Sequence, residues 1–540
     1  MMAKRAAQDM ILPRRFLRMC RRSLWRPKVA DSSGTEVSGA GLLTRSLILR
    51  RLLRRHVLAA DEQFVGLLLP PSVGTVLANA ALALDRRIAV NLNYTVSPDV
   101  LNACIGQCNI RHVLTSHRMM EKLREKSPFE VKAELVYLED FKDTVTKADK
   151  LVAAAQTWLL PAAVLERWLG LTKTNPDDVL TVIFTSGATG QPKGVMLTHR
   201  NVGSNVEAFD AIIHIRKDDV VVGILPIFHS FGYTVTLWTV LALAPKGIYH
   251  FSPLEARPVG KLCREHGATI LVATPTFLRS YLRRCEPEDF ATLEVIVAGA
   301  EKMPIELAAA FEKKFGVRPI EGYGATEVSP VVSANIPPSR AIGSARQGVK
   351  EGSVGPPLPG IKAKVIDLDT GEDLGVGKSG MLLISGPNVM KGYLHRPELT
   401  AEVVRDGWYI TGDVAVIDAD GFIHITGRLA RFSKIGGEMV PHIRVEEAIT
   451  AALHLDEEDL RMVVTGVPDQ KKGERLVVLH TGLDRAPEEI CKALAESGLP
   501  PIWIPSPDSF RRIDEIPVLG TGKLDLKRVK EVAQQQFPQS

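Results

Sequence analysis

The stretch LTVIFTSGATGQPKG, residues Leu180–Gly194, decides how the chain is read. Its first half alternates Leu, Val, Ile and Phe with Thr, the composition of a buried β-strand. Its second half is a loop of Thr185, Ser186, Gly187, Thr189, Gly190 and Lys193. Small residues there let several backbone N–H groups converge on one phosphate, hydroxyls add donors, and the lysine adds charge. The G-x-x-x-x-G-K-[ST] spacing of a P-loop is absent, so this is a different phosphate cradle. A Gly/Ser/Thr loop alone is a weak signal. The complete string T-S-G-x-T-G-x-P-K-G is specific.

Working outward, short apolar runs recur at 64–69, 111–114, 220–225, 268–274 and 293–299, separated by helix-sized stretches. That spacing predicts an α/β fold with buried strands. Beyond about residue 350 the runs shorten and Gly and Asp mark turns, as in hairpins or a barrel. From about 430 the pattern is helix (445–453), strand (461–467), strand (475–481) and helix (487–498), a small α/β unit. The 540 residues are 45% hydrophobic and 24% charged, which excludes a disordered, collagen-like or coiled-coil chain. No apolar run approaches the length of a membrane-spanning helix.

At this point the chain resembles the adenylate-forming superfamily of acyl- and aryl-CoA synthetases, luciferases and peptide-synthetase adenylation domains. Further matching segments follow in order: Leu225–His229 (LPIFH), Gly299-Ala300-Glu301, Glu321–Glu327 (EGYGATE), Tyr409–Asp413 (YITGD), Gly427-Arg428 and Pro517–Lys523 (PVLGTGK). The resemblance covers about residues 45–530. It implies a large N-terminal domain of stacked α/β sheets with a β-barrel-like subdomain, and a small mobile α+β C-terminal domain. The expected division is a basic N-terminal arm over 1–44, an AMP-binding domain over 45–427 and the mobile domain over 428–540.

The implied reaction is attack of a carboxylate on the α-phosphate of ATP, giving an acyl-adenylate and pyrophosphate, then transfer of the acyl group to a thiol. Negative charge concentrates in the first transition state, so positioning and electrostatics dominate. The resemblance assigns Lys523, Thr326, Glu327 and His229 to catalysis. Thr326 would bond the α-phosphate, and Lys523 would bridge carboxylate and phosphate. Nucleotide binding falls to Thr185, Ser186, Gly187, Thr189, Gly190, Lys193, Gly299, Ala300, Glu301, Gly322, Tyr323, Gly324, Asp413 and Arg428. Tyr323 would stack on adenine and Asp413 would hold the ribose hydroxyls. Glu327 and Thr185 are the implied Mg²⁺ residues. The family carries Asp or Lys two residues after the hinge Arg, where this chain has Ala430.

Several phrases, among them LPIFHSFGYTVTLW, EGYGATEVSPVVSAN and GPNVMKGYL, look most like the acyl-ACP synthetase half of the bifunctional 2-acylglycerophosphoethanolamine acyltransferase/acyl-ACP synthetase. The expected substrates are therefore ATP, a fatty acid and the phosphopantetheine thiol of acyl carrier protein, with coenzyme A as the alternative acceptor. Arg511, Arg512, Lys523, Lys527, Arg528 and Lys530 offer charge to an acidic carrier. The His-x₄-Asp spacings (His56/Asp61, His214/Asp219, His454/Asp459) lie in no acyltransferase context, so no acyltransferase activity is expected.

The charge is uneven. Residues 1–55 hold 14 Lys/Arg and 3 Asp/Glu, an excess of 11 in a chain of net charge +5. The head interleaves Arg14, Arg15, Arg18, Arg21, Arg22 and Arg26 with apolar residues, which reads as a solvated arm or as a segment for an anionic membrane surface. Residues 151–170, LVAAAQTWLLPAAVLERWLG, read as a buried helix pair or as a greasy surface for a bilayer or a substrate entrance. Six Cys are too few for a disulfide scaffold, and Cys104 and Cys108 lack a second ligand pair for zinc. A cytoplasmic protein is expected, peripheral on the inner membrane face if on a membrane at all, with no nucleic-acid partner.

Overall fold

The computed structural model describes residues 10–125, 128–186, 192–342, 348–435, 438–453, 455, 461–469, 472–518 and 524–538. It has two large sheets, a barrel-like antiparallel sheet and a small terminal unit. One large sheet has eight strands, in the spatial order Val331–Ala334, Ile320–Gly324, Val295–Ala298, Ile270–Ala273, Val220–Gly223, Lys246–Tyr249, Pro27–Asp31 and Glu36–Ser38. Its six inner strands are parallel and the two edges antiparallel. The strands Val220–Gly223 and Ile270–Ala273 are Val/Ile/Leu-rich and buried almost throughout, as sheets covered on both faces require. A second sheet of seven strands runs Gly392–Tyr393, Pro192–Thr198, Val179–Ser186, Ile88–Asn91, Phe64–Leu67, His112–Thr115 and Glu134–Tyr137.

The shift in pattern after residue 350 is real. Lys362–Ile366, Ser379–Ser385, Trp408–Ile417 and Ile423–Arg428 form an antiparallel barrel-like sheet around Val365, Leu382, Ile384, Ala415 and Ile423. The terminal unit is α+β: Met462–Asp469 and Gly473–His480 pair antiparallel, flanked by helices His442–Ala452 and Pro487–Glu496. The expected boundary at 427/428 falls at the end of a strand, since Arg428 is the last residue of Ile423–Arg428 and pairs with Asp413. Gly427 belongs there for a steric reason: a Cβ would collide with the Phe432 ring across the turn.

The N-terminal segment differs from the expected basic arm over 1–44. Helix Leu12–Arg22 buries Leu12, Phe16, Leu17 and Cys20 in the main core, and Pro27–Asp31 pairs in parallel with Lys246–Tyr249. The next helix, Gly39–His56, runs straight through position 44/45. Most of the arginines are used internally. Arg14 and Arg18 both grip Glu166, with Nε–O distances of 2.8 and 2.6 Å. Arg51 and Arg55 hold Asp149, and Arg50 holds Asp85 at 2.9 Å. Lys28 is fully buried and donates to the carbonyls of Leu243 and Pro245; burial pushes its pKa down to about 7.

Two buried histidines give the fold an acid limb. His199 opens helix His199–Ile212, and His442, bonded to Ser433 at 2.9 Å, sits near Arg431. Burial pushes them down to about 4 and about 3 respectively. Both bind protons more readily unfolded, near pH ~6.5, than folded. Their stability contribution is therefore complete above ~6.5 and is lost as pH falls toward the folded values. Denaturant midpoints measured against pH should start to fall between pH ~6.5 and ~5, before carboxylates titrate; a flat midpoint across that window contradicts the assignment.

Candidate active site

The site forms where parallel strands end. Val295–Ala298 runs into Gly299-Ala300-Glu301, and its neighbour Ile320–Gly324 runs into Ala325-Thr326-Glu327. The crevice beyond the carboxyl ends of such strands is where α/β sheets take their ligands. Ala300 is held at φ +68°, a left-handed conformation that costs a non-glycine residue energy. The side chain of Glu301 fixes this turn by accepting the hydroxyl of Thr276 at 2.7 Å and its N–H at 3.3 Å. Gly299 faces the edge of Phe231, which a Cβ would approach to 3.1 Å.

Three groupings converge on the turn after Gly324. The Thr326 hydroxyl lies 3.2 Å from that of Ser230. The Glu327 carboxylate accepts the Tyr393 hydroxyl at 2.9 Å, and Lys193 places its ammonium 5.2 Å from the centre of the same ring. Strand pairing makes this possible: Thr185 pairs with Lys193 across the hairpin of Val179–Ser186 and Pro192–Thr198, and Tyr393 pairs with Val195 beside it. Thus this hairpin, Tyr393 and Glu327 are tied together although they are far apart in sequence.

The third grouping is Tyr323, Asp413 and Arg428. The Tyr323 hydroxyl donates to one oxygen of Asp413, and Arg428 Nε donates to the other at 3.0 Å. Asp413 is buried, and its backbone N–H donates to the Thr411 hydroxyl at 3.0 Å. Burial raises the Asp413 pKa, against the pull of Arg428, and burial beside Asp413 pushes the Tyr323 phenol well up, so Tyr323 stays a donor. Each carboxylate oxygen has two acceptor positions, which leaves Asp413 capacity for ribose hydroxyls. Arg428 is largely exposed.

The residue set fits ATP with Mg²⁺. A single carboxylate, Glu327, fixed by Tyr393 and beside hydroxyls, is the protein contribution expected when Mg²⁺ takes its remaining ligands from water and phosphates.

The family model for AMP-binding enzyme matches residues 18–394, about 70% of the chain. The chain belongs to the AMP-binding enzyme family. It is 35% identical over 377 residues to the long-chain-fatty-acid–CoA ligase of Bacillus subtilis, covering 67% of this chain and 63% of that protein. A relative of the same description from Yersinia pestis is 32% identical over 382 residues, covering 68% and 65%. The matched part thus spans just under two thirds of either relative. Among solved structures, ATP-bound MatB from Rhodopseudomonas palustris aligns with a TM-score of 0.75 at 25% identity, over 97% of this chain and 99% of that one. That alignment takes in the part of this AMP-binding enzyme beyond residue 394, where Asp413 and Arg428 lie.

Of the residues expected in this AMP-binding enzyme's site, Thr185, Lys193, Gly299, Ala300, Glu301, Gly322, Tyr323, Gly324, Thr326, Glu327, Asp413 and Arg428 stand on the strands and turns described above, Asp413 mid-strand in Trp408–Ile417. Gly187, Thr189, Gly190 and Lys523 lie outside the described residues, as does the side chain of Ser186. His229 is exposed beside Phe228, its ring 4.5 Å away, and precedes Ser230, the partner of Thr326. Phe228 in turn packs edge-on against Tyr94 at 4.9 Å. Tyr393, Ser230 and Thr411 carry contacts that the motifs did not assign. Tyr393 lies within GPNVMKGYL, and Ser230 adjoins LPIFH, so proximity to a motif was the available signal.

Tyr393→Phe keeps the ring under Lys193 and removes one bond to a charged acceptor. Such a bond is worth about 1.5–3 kcal/mol, so turnover should fall roughly 10- to 100-fold, with a raised Mg²⁺ requirement. An unchanged Mg²⁺ titration would show that Tyr393 does not orient Glu327.

Proposed function

We propose that this protein activates a fatty acid with ATP as an acyl-adenylate and transfers the acyl group to the thiol of coenzyme A. The observation that carries the chemistry is the convergence of Thr326, Glu327 with Tyr393 and Lys193, and Asp413 with Arg428 at the ends of parallel strands. Support for the substrate class comes from the long-chain-fatty-acid–CoA ligases to which the chain is similar.

In the first step an oxygen of the acid attacks the α-phosphorus, and the bond to the leaving pyrophosphate breaks. Thr326 donates to an α-phosphate oxygen, and Lys193 with the cradle hairpin attracts the β- and γ-phosphates. Asp413 anchors the ribose so that the phosphorus lies in line with the acid. Glu327 with Thr185 would hold Mg²⁺, which would supply positive charge for the departing phosphates. Lys523 is assigned to the bridge between carboxylate and α-phosphate. In the second step the thiolate attacks the acyl carbon and AMP leaves. Lys523→Ala should then cut adenylation by about 10²–10³ and leave thioester formation from preformed acyl-adenylate much less affected.

Coenzyme A takes precedence over the carrier protein expected from the sequence phrases because the relatives named above are CoA ligases. The basic C-terminal stretch argues little for a carrier, since Lys527 and Arg528 both pair with Glu531 and Arg511 stacks on Phe537. Incubation with palmitate, ATP and Mg²⁺ and equal amounts of coenzyme A and holo-acyl carrier protein tests this. Acyl-CoA is the expected product; loading of the carrier alone overturns the choice of acceptor while leaving the adenylation chemistry intact.

A further inference from the structure

The helix pair over 147–170 is anchored in an unusual way. Its inner side is fixed by ion pairs: Asp149 to Arg51 and Arg55, and Glu166 to Arg14 and Arg18. Arg21 adds a bond to the Thr157 carbonyl at 3.0 Å. Leu165 and Leu169 enter the main core. The outer side is apolar and uncovered. Trp25 is 80% exposed, Leu159 77% and Trp168 57%, with Leu151, Trp158 and Val164 also exposed. Trp25 packs on Trp158 with ring centres 4.6 Å apart, which joins the chain after the first helix to the pair. Val164 and Trp168, one turn apart, line an open groove of about 430 Å³ with Leu160 and Arg167.

Along residues 147–173 the exposed charge has one sign. Asp149 and Glu166 are the carboxylates between residues 147 and 173, and both are buried against arginines. The exposed charges there are Lys147, Lys150, Arg167 and Lys173, with Arg22 and Arg26 next to Trp25. Three tryptophans and aliphatic residues ringed by cations match the boundary of an anionic bilayer, where indole rings sit at headgroup depth and basic residues meet lipid phosphates. A buried helix pair would have no need of outward Trp side chains, and a solvated one would not group them.

We propose that this face, Trp25, Trp158, Leu159, Val164 and Trp168 with their basic rim, docks the protein on an anionic lipid bilayer. Inward pairing of both carboxylates with arginines is what leaves the outward face free of negative charge. The surface lies on the helix pair that packs against Gly39–His56 and Leu12–Arg22 and uses no residue of the nucleotide site, so it stands whether or not the ligase reading does.

The test is flotation of the full chain with phosphatidylcholine vesicles, with and without phosphatidylglycerol, beside sedimentation in the absence of lipid. Binding to the anionic vesicles with a blue shift of tryptophan emission is expected, at least about tenfold tighter than to phosphatidylcholine alone. Trp25→Ser/Trp168→Ser should weaken it by about tenfold or more. Lys147→Glu/Lys150→Glu/Arg167→Glu, all at exposed positions, should abolish the preference for anionic lipid. Circular dichroism spectra and thermal midpoints of both variants should match those of the parent, which certifies their folding. Absence of binding to anionic vesicles, or binding unaffected by both sets of substitutions, overturns the proposal. So does a lipid-free dimer that the Trp variant dissociates without any vesicle binding, which would make the face a contact between two copies of this chain.

Discussion

Glu327→Gln lowers fatty-acid-dependent ATP–pyrophosphate exchange by roughly 10²–10³. The substitution is nearly isosteric and can still accept the Tyr393 hydroxyl, whose 2.9 Å bond fixes the side chain. What it removes is the negative charge offered to Mg²⁺. Glutamine is a weak ligand for a hard cation that prefers carboxylate and phosphate oxygens. The loss should fall on the chemical step, because the residues proposed to hold the nucleoside, Asp413, Arg428 and the turn at Gly299-Ala300-Glu301, are untouched. Nucleotide affinity measured without Mg²⁺ should therefore change by no more than a few-fold. Exchange within about threefold of the parent would remove Glu327 from the mechanism.

Asp219→Ala destabilises the large domain by about 3–5 kcal/mol. Asp219 and Arg340 are both buried and form a two-pronged pair at 2.8 and 2.9 Å. Asp219 also accepts the Thr269 hydroxyl at 2.8 Å and the Arg216 N–H at 2.6 Å. Burial opposes its ionisation, but Arg340, the Arg216 N–H and Thr269 prevail and hold its pKa below the usual range. Alanine would strand the Arg340 guanidinium in the interior with Glu294 and the His214 carbonyl as remaining partners. The same truncation at Asp177, paired with Arg200 in the open, should cost less than about 1 kcal/mol. Thermal denaturation of both full-length variants checks the contrast. Equal midpoints would mean that the buried pair is not holding the loop over 337–342 to the sheet.

The periodicity of the sequence places elements well where local composition settles them. The run at 180–185 becomes Val179–Ser186, that at 220–225 becomes Val220–Gly223, and the terminal helices and strands fall within a few residues of their expected ends. The motifs also bring Tyr323, Thr326, Glu327 and Asp413 to one place: the first three sit at or just beyond the end of Ile320–Gly324, and Asp413 lies mid-strand in Trp408–Ile417, bonded to Tyr323. What the sequence conceals is pairing across long separations. The arginines of 12–22 look like a solvent-facing arm until Glu166, about 150 residues on, is seen between Arg14 and Arg18. Tyr393 meets Glu327 across 66 residues, and no local pattern announces a single hydroxyl bond. The apolar 151–170 stretch combines both of its readings, with an inner face fastened by ion pairs and an outer face bare.

Adenylation of a fatty acid at the site of Glu327 and Asp413 is the proposed first step. Exchange of labelled pyrophosphate into ATP by the purified full chain, with palmitate and Mg²⁺ and no thiol present, isolates that step. The prediction is exchange that requires the acid, saturates with it, and disappears in Glu327→Gln. Exchange that no fatty acid of any length supports, by protein that binds ATP, would contradict it.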